Sequence, residues 1–358
     1  MTRAFKGMLL TAMVLALLAV GFGPAASAGK KTRLLHYAAQ GAPKGVRAEA
    51  LKWWASEIEK RTGGSVKIKI YWSGALLKAG DAMEGIGSRT ADLGGAWGIY
   101  HPAKTPLWTV GDPPFSHDDP YVGIRAIQEM FATYQPLIDE LAKYNVKVLA
   151  PFVTGMTQLG SVNRAVHVPA DTAGMKIRFA GGQWAAFWKS VGAVPIKLTQ
   201  GEVYEALMRG TADATQSYFF ILEAYKHWDV IKYYTVINAG ELCSYGLAIN
   251  LDVWKSLSPE IQKIITQASN EFVLRYAKGL IDVRKKVITQ GKAKGMKFIN
   301  LDKAQKDKWL AKAKPLIDAW AKGMDAKGLP GTQTQQTFLK LVEKYSQEVN
   351  SKGYPWGK

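Results

Sequence analysis

An α/β protein built in two units is what the sequence predicts, and three observations carry the prediction. The first half runs strand, helix, strand, helix, strand, the rhythm of a parallel sheet covered by helices. A second α/β unit starts near Thr154, and 358 residues suggest two domains rather than one.

Taken in order, Leu34 to Ala39 reads as the first strand, closed by Gln40-Gly41-Ala42-Pro43. The helix that follows carries Ala50, Leu51, Trp54 and Ile58 at helical spacing and stops at Gly63-Gly64. From Val66 to Trp72, Val66, Ile68, Ile70 and Trp72 face one way and Lys67, Lys69 and Tyr71 the other, which is a strand with one covered face. Asp81 to Gly87 reads as a short helix, and Asp92 to Trp97 (DLGGAW) as a buried strand emptying into a loop. Pro102 to Pro120 holds five prolines and is expected to be a loop, with Pro113-Pro114-Phe115 crossing the surface near the cleft between the units. A helix from Val122 to Tyr144 and a strand from Val146 to Val153 complete this half.

The second unit contains the most informative stretch, Gly174 to Gln216. It sets Arg178 at the end of a short alternating segment, then Gly181-Gly182, a helix-like run, a strand from Val194 to Leu198 and a helix opening near Gln200. A fixed guanidinium beside backbone that a small molecule can approach closely is chemistry for holding an anion, because the planar fork binds a carboxylate in two places. An interdomain salt bridge is the other use of such an arginine. Leu247 to Asn250 returns as a strand. Ser258-Pro259-Glu260 opens a helix, with Ser as cap and Pro in the first turn; it is expected to reach Gly291 and to bridge both units. Met296 to Leu301 is a short strand, Asp302 to Gln305 a capping-box start, and helix fills the rest apart from Gly328 to Gly331.

Composition removes several function classes. The formal charge is +18, from 47 Lys and Arg against 29 Asp and Glu. The lysines are scattered over amphipathic helices, as in Lys303, Lys306, Lys308, Lys312 and Lys314. That pattern reads as a solvated face suited to anionic ligands or an anionic membrane surface, not as a nucleic-acid stripe. No GxSxG, HExxH, CxxC or GxxxxGK motif occurs. The five histidines (His36, His101, His117, His167, His227) lack metal-ligand spacing, and the single cysteine, Cys243, reads as buried and inert. No cofactor and no metal are expected, and Asp118-Asp119 is read as turn-forming. At the N-terminus, Arg3 and Lys6, the apolar Met8 to Phe22 and Ala26-Ser27-Ala28 read as a cleaved export signal over residues 1–28. The mature chain is expected to begin at about Gly29 and to work outside the cytoplasm, with no membrane-embedded segment.

The segment GMKIRFAGG…VGAVPIKLTQGEVYEALMRGTADATQ resembles the signature of solute-binding proteins of TRAP (tripartite ATP-independent periplasmic) transporters. The resemblance extends to DLGGAWG, the PPF turn and LAINLDVWKSLSPEIQKII. It implies a two-lobed periplasmic binding protein fold of mainly parallel sheets, with 29–153 and about 243–283 in lobe I and about 154–242 and 284–358 in lobe II. It implies capture of an organic acid in the periplasm and delivery to membrane permease subunits, without catalysis. Rival readings are a periplasmic enzyme acting on small acids and the binding component of an ATP-driven importer; turnover and the neighbouring genes separate them.

The resemblance also implies site residues. Arg178 stands where the family pairs a ligand carboxylate, and Gln40 and Trp97 where members often supply ligand contacts. Gln158 lies where some members have a second arginine. Ser217 replaces a common asparagine, and Ala214 a usual glycine. Gln216, Tyr218 and Trp184 are further expected contacts, with Trp97, Trp184, Tyr218 and Phe219 as an apolar wall. Together with Gln158 these favour a small monoanion: a 2-oxo acid, an aromatic acid or a sulfonate. Some members use a cation beside the ligand, and Gln158, Gln216 and Glu241 are the residues that would serve one.

Overall fold

The computed structural model describes residues 32–357; the export signal expected over 1–28 lies outside them. The chain begins β1 (Arg33–Ala38), α1 (Val46–Arg61), β2 (Val66–Tyr71), α2 (Ala82–Gly87), β3 (Leu93–Trp97). After a 3-10 helix at Leu107–Gly111 come α3 (Pro120–Thr133), α4 (Gln135–Ala142) and β4 (Val146–Phe152). The chain then crosses to β5 (Gln158–Ser161), β6 (Lys176–Phe179), α5 (Trp184–Ser190), β7 (Val194–Lys197), α6 (Val203–Met208), β8 (Ala214–Ser217), α7 (Phe219–Ala224) and β9 (Tyr233–Val236). It returns through β10 (Tyr245–Asn250), α8 (Leu251–Lys255) and α9 (Pro259–Ala293), and ends in β11 (Lys297–Asn300), α10 (Lys303–Asp325) and α11 (Gly331–Lys352).

Two sheets result, ordered β2-β1-β3-β10-β4 and β11-β9-β5-β8-β6-β7. Each is mainly parallel, as expected, with a single reversed strand: β10 runs antiparallel to both β3 and β4, and β5 antiparallel to both β8 and β9. The reason is connectivity. Each of these strands is entered directly from the other lobe, so it starts at the interlobe end, whereas β1 and β3 finish there. The two crossings pair with each other: Thr157 N donates to Gly240 O at 2.6 Å, Ala239 N to Thr157 O at 3.0 Å, and Leu242 N to Thr154 Oγ1 at 2.9 Å.

Local rules explain most elements. Ala50, Leu51, Trp54 and Ile58 form the buried stripe of α1, and Trp54 Nε1 donates to Ser269 Oγ of α9 at 3.1 Å. The single helix expected from Val122 to Tyr144 is two, because Pro136 lacks an N–H and the chain leaves helical geometry at Tyr134. Ser258 and Asp302 accept the capping bonds expected of them, from Ile261 N and Gln305 N. Helix α9 has 35 residues, roughly 52 Å at 1.5 Å per residue. It packs on α1, α3 and β4 of the first lobe and on α7 and β11 of the second, so it bridges the lobes.

Two expectations about placement are overturned. Residues 284–358 do not all join the second lobe. Helix α10 does, through Trp309 against Phe187 and Trp188 of α5, but α11 packs along α3. There Lys344 Nζ lies 2.7 Å from Glu129 Oε2, and the Phe338 ring stands edge-on to His117. Pro113 and Pro114 do not cross the surface either: both are buried, and Phe115 N donates to Ala239 O of the crossing segment at 3.0 Å. Among the described residues no helix is long and apolar enough to cross a membrane.

Candidate functional site

A cleft of about 520 Å³ lies between the lobes. First-lobe residues reach it where β1 and β3 end and β10 begins: Gln40, Trp97 and Tyr245, with Arg47 from the first turn of α1. The second lobe contributes Arg178 from β6, Gln200, and Tyr218 and Phe220 beside the start of α7. Parallel strands open such crevices at their carboxyl ends, and Arg178 is the penultimate residue of β6, which runs parallel to β7 and β8.

Arg178 is only 1% exposed. Its Nε and Nη2 donate to Leu198 O at 2.9 and 2.7 Å, and Nη1 to Gln200 Oε1 at 3.4 Å. Both acceptors, a backbone carbonyl and an amide oxygen, are neutral. None of the ion pairs among the described residues includes Arg178, so the interdomain salt bridge is not formed. The charge is therefore held in position without being neutralised. Its field is felt nearby: burial first and Arg178 second push the His227 imidazole down to about 3, keeping it neutral.

Gln40 and Trp97 are joined, Trp97 Nε1 donating to Gln40 Oε1 at 2.8 Å, which leaves the Gln40 amide nitrogen without a partner. The buried Tyr218 hydroxyl also has none, and its ring stacks on Phe220 with centroids 6.3 Å apart. Four expected contacts thus line one cavity: Arg178, Trp97, Gln40 and Tyr218.

The other four do not line it. Gln158 is fully buried, with its amide donating to Met156 O (3.0 Å) and Asn238 Oδ1 (2.7 Å) and accepting from Asn238 N (3.0 Å). It ties the two crossings together. Trp184 is 0% exposed and donates to Asp112 O at 2.9 Å, packed against Phe187 and Trp188. Gln216 and Ser217 are buried in β8 away from the cleft. Phe219 likewise packs outward, on Tyr234.

The expected cation group does not assemble. Gln158 pairs across the sheet with Ser217 and Leu159 with Gln216, so the pleat puts Gln158 and Gln216 on opposite faces. Glu241 turns toward His117, whose Nε2 is 3.1 Å from its Oε1, and toward Cys243. These three, with donor atoms within 4.8 Å of one another, do not line the cleft. Burial pushes the Glu241 carboxyl and the Cys243 thiol well up and the His117 imidazole down to about 4.

Gly181 admits a close approach, as its sequence context suggested, but the approaching group is protein: a Cβ there would stand 2.2 Å from Ile99 O of the first lobe. The lobes meet at this point, and again where Gly45 faces Ala224.

Sequence reasoning missed Arg47, Tyr245, Tyr225 and Phe220, all of which line the cleft. Arg47 sits in GAPKGVR, seven residues past Gln40, as one of 47 cations, in the first turn of the helix that Gly45 (φ 84°) precedes.

A family model described as bacterial extracellular solute-binding protein, family 7 (DctP), matches residues 36–323. The chain is 26% identical over 331 residues to the C4-dicarboxylate-binding periplasmic protein DctP of Rhodobacter capsulatus, covering 91% of this chain and 96% of that protein. It is 24% identical over 294 residues to the C4-dicarboxylate-binding protein DctB of Bacillus subtilis, covering 78% and 79%. Its fold is similar to a TRAP solute-binding protein from Rhodoferax ferrireducens solved with copurified benzoate, at a TM-score of 0.82 and 20% identity, covering 88% of this chain and 99% of that one. The match over residues 36–323 shows that this chain belongs to the bacterial extracellular solute-binding proteins of family 7, the DctP family of TRAP solute-binding proteins.

Proposed function

We propose that this protein captures a small organic acid in the periplasm, closes its lobes around the acid with Arg178 on the carboxylate, and hands it unchanged to TRAP permease subunits. The observation that carries the reading is Arg178: a buried guanidinium fixed by neutral acceptors, facing a cleft of about 520 Å³, with no carboxylate of its own. A charge held this way is costly unless an anion completes it. The cleft volume falls within the range for small-molecule sites. The hydroxyl–carboxylate pair on the cleft wall, Thr199 with Glu202, forms the capping box of a short helix, and the buried His117, Glu241 and Cys243 stand apart from the cleft.

The hinge is supplied by the paired crossings, whose hydrogen bonds at Thr154, Thr157, Ala239 and Leu242 leave the two sheets free to rotate as bodies. Relatives' ligands include C4-dicarboxylates, benzoate and galactonate, all of them acids, which fits an anion at Arg178. A thermal-shift panel of carboxylates, 2-oxo acids, aromatic acids and sulfonates tests the proposal. An acid at 100 times its dissociation constant is expected to stabilise the fold by about 2.7 kcal/mol. Recovery of the acid unchanged separates binding from catalysis, and a flat panel contradicts the reading.

A further inference from the structure

Three side chains that the cleft does not use converge behind it. His117 stands in the loop ahead of α3, and Glu241 and Cys243 on the crossing that returns to β10; all three are buried. His117 Nε2 lies 3.1 Å from Glu241 Oε1 and 4.0 Å from Cys243 Sγ, and the three donor atoms fall within 4.8 Å of one another. The separation of 126 positions between His117 and Cys243 hides the cluster from any spacing motif.

The hydrogen bonds around the cluster set the direction of its donors. Ser116 Oγ donates its one proton to Gly111 O at 2.9 Å, so toward His117 Nδ1, also at 2.9 Å, it acts as acceptor. Nδ1 therefore carries the imidazole proton, and Nε2 turns a lone pair toward Glu241 and Cys243. Metal-bound histidines adopt this arrangement, with the remote N–H held by a neighbour. Neither Glu241 oxygen has a hydrogen-bond partner of normal geometry, although the Gly155 N–H lies close enough to act on the carboxyl. Its one ion-pairing neighbour among the described residues is His117. Two glycines keep the interior of the cluster clear. A Cβ on Gly123 of α3 would crowd both Glu241 Oε1 and His117 Nε2, and one on Gly111 would crowd Cys243 Sγ.

Lone pairs of nitrogen, oxygen and sulfur aimed at one another in a dry interior call for a cation between them. A tetrahedral zinc ion, with bonds of roughly 2.0–2.3 Å, holds such ligands about 3.3–3.6 Å apart. The separations of 3.1 and 4.0 Å bracket that spacing. The charges also balance. A divalent ion with one carboxylate, one thiolate and one neutral imidazole is uncharged as a whole, which suits a buried site. Sulfur and imidazole select zinc and similar ions over calcium and magnesium, which take oxygen.

We propose that His117, Glu241 and Cys243 form a binding site for one divalent zinc-type cation, separate from the cleft, which fastens the returning crossing to the loop ahead of α3. The ion displaces the Cys243 thiol proton, which leaves to solvent, and the thiolate becomes its sulfur ligand. The site is independent of Arg178 and of any acid held there.

The test uses the untagged protein, unfolded in guanidinium with EDTA and refolded in chelator, with one equivalent of zinc, or with one equivalent of cobalt(II). Protein made in zinc-supplemented medium and never unfolded is the second source. Wild type is expected to keep one metal per chain through gel filtration, and its cobalt form to show a thiolate-to-metal charge-transfer band in the near ultraviolet. Cys243→Ser is expected to lose that band and to bind zinc about tenfold or more weakly. Ser116→Ala, which only frees the imidazole, is expected to weaken zinc binding about 10–100-fold while keeping the band. Arg178→Ala is expected to load metal as wild type does. Less than about a tenth of a metal per chain from both sources overturns the site, whatever the variants do. So does a cobalt form without the thiolate band, or zinc affinity unchanged in both Cys243→Ser and Ser116→Ala.

Discussion

Arg178, on the second-lobe wall, is fixed by three hydrogen bonds to a backbone carbonyl and a glutamine amide, while Arg47, on the first-lobe wall, lies among three aromatic faces, hydrogen-bonded to Tyr276 and with its Nε unpaired. The same side chain is thus presented twice to one cavity, once by bonds to a carbonyl and an amide and once mainly by aromatic rings. Bonds at Nε and Nη2 set the angle of the Arg178 fork before a ligand arrives, which is pre-organisation in the strict sense.

The largest effect that would break this comparison is at Arg178. Arg178→Ala is expected to weaken binding of the preferred acid by about 2–5 kcal/mol, the cost of stripping one partner from a buried charge pair, as read by calorimetry. A loss below about 1 kcal/mol would make the two walls equivalent and remove the pre-organised one.

A middling effect separates the cleft from the crossings behind it. Gln158→Ala removes the bonds to Met156 O and Asn238 and strands Asn238 N in the interior. It is expected to lower unfolding stability by about 1–3 kcal/mol in chemical denaturation, with affinity for the acid within about threefold of wild type. A large change in affinity with unchanged stability would return Gln158 to the site.

The smallest effect concerns the buried acid at the lobe contact. Burial raises the Asp112 carboxyl to about 7, against the hydrogen bonds from Ser244 Oγ, Ser244 N and Cys243 N that favour its charged form. Because the folded pKa lies above the unfolded value of 3.8, the folded state holds the proton more tightly. The resulting stability is fully present below about pH 4 and is lost as the pH rises through about 7. Asp112→Asn is expected to flatten that fall, changing the Tm difference between pH 4.5 and 7.5 by roughly 2–4 °C relative to wild type. An unchanged slope would mean that Asp112 is ionised throughout.

Much of the fold was legible because its signals are local. The alternation of Val66 to Tyr71, the caps at Ser258 and Asp302 and the stripe on α1 depend only on near neighbours. What was lost depends on the chain's path between lobes. Strands β5, β8 and β9 are four residues each and too short to show a period, and the antiparallel entry of β5 and β10 follows from the crossings. The placement of α11 on the first lobe is a tertiary choice made by Phe338 and Tyr345, which the helical pattern does not encode. At the site, Arg178, Trp97, Gln40 and Tyr218 sit at strand ends, where sequence position implies direction. Gln158, Gln216, Ser217 and Trp184 lie just as close in sequence to strand or helix ends but point into packing, because one step along a pleat reverses the face. Arg47 gave no signal, since nothing in an isolated cation tells whether solvent or a cavity lies beyond it.

A crystal structure of the protein with the tightest acid from the panel tests the central claim most directly. The account predicts lobes closed on the acid, with one carboxylate within hydrogen-bond distance of the Arg178 guanidinium while its Nε stays on Leu198 O. An acid seated away from Arg178, or a closed cleft in which that guanidinium touches only protein, would contradict it.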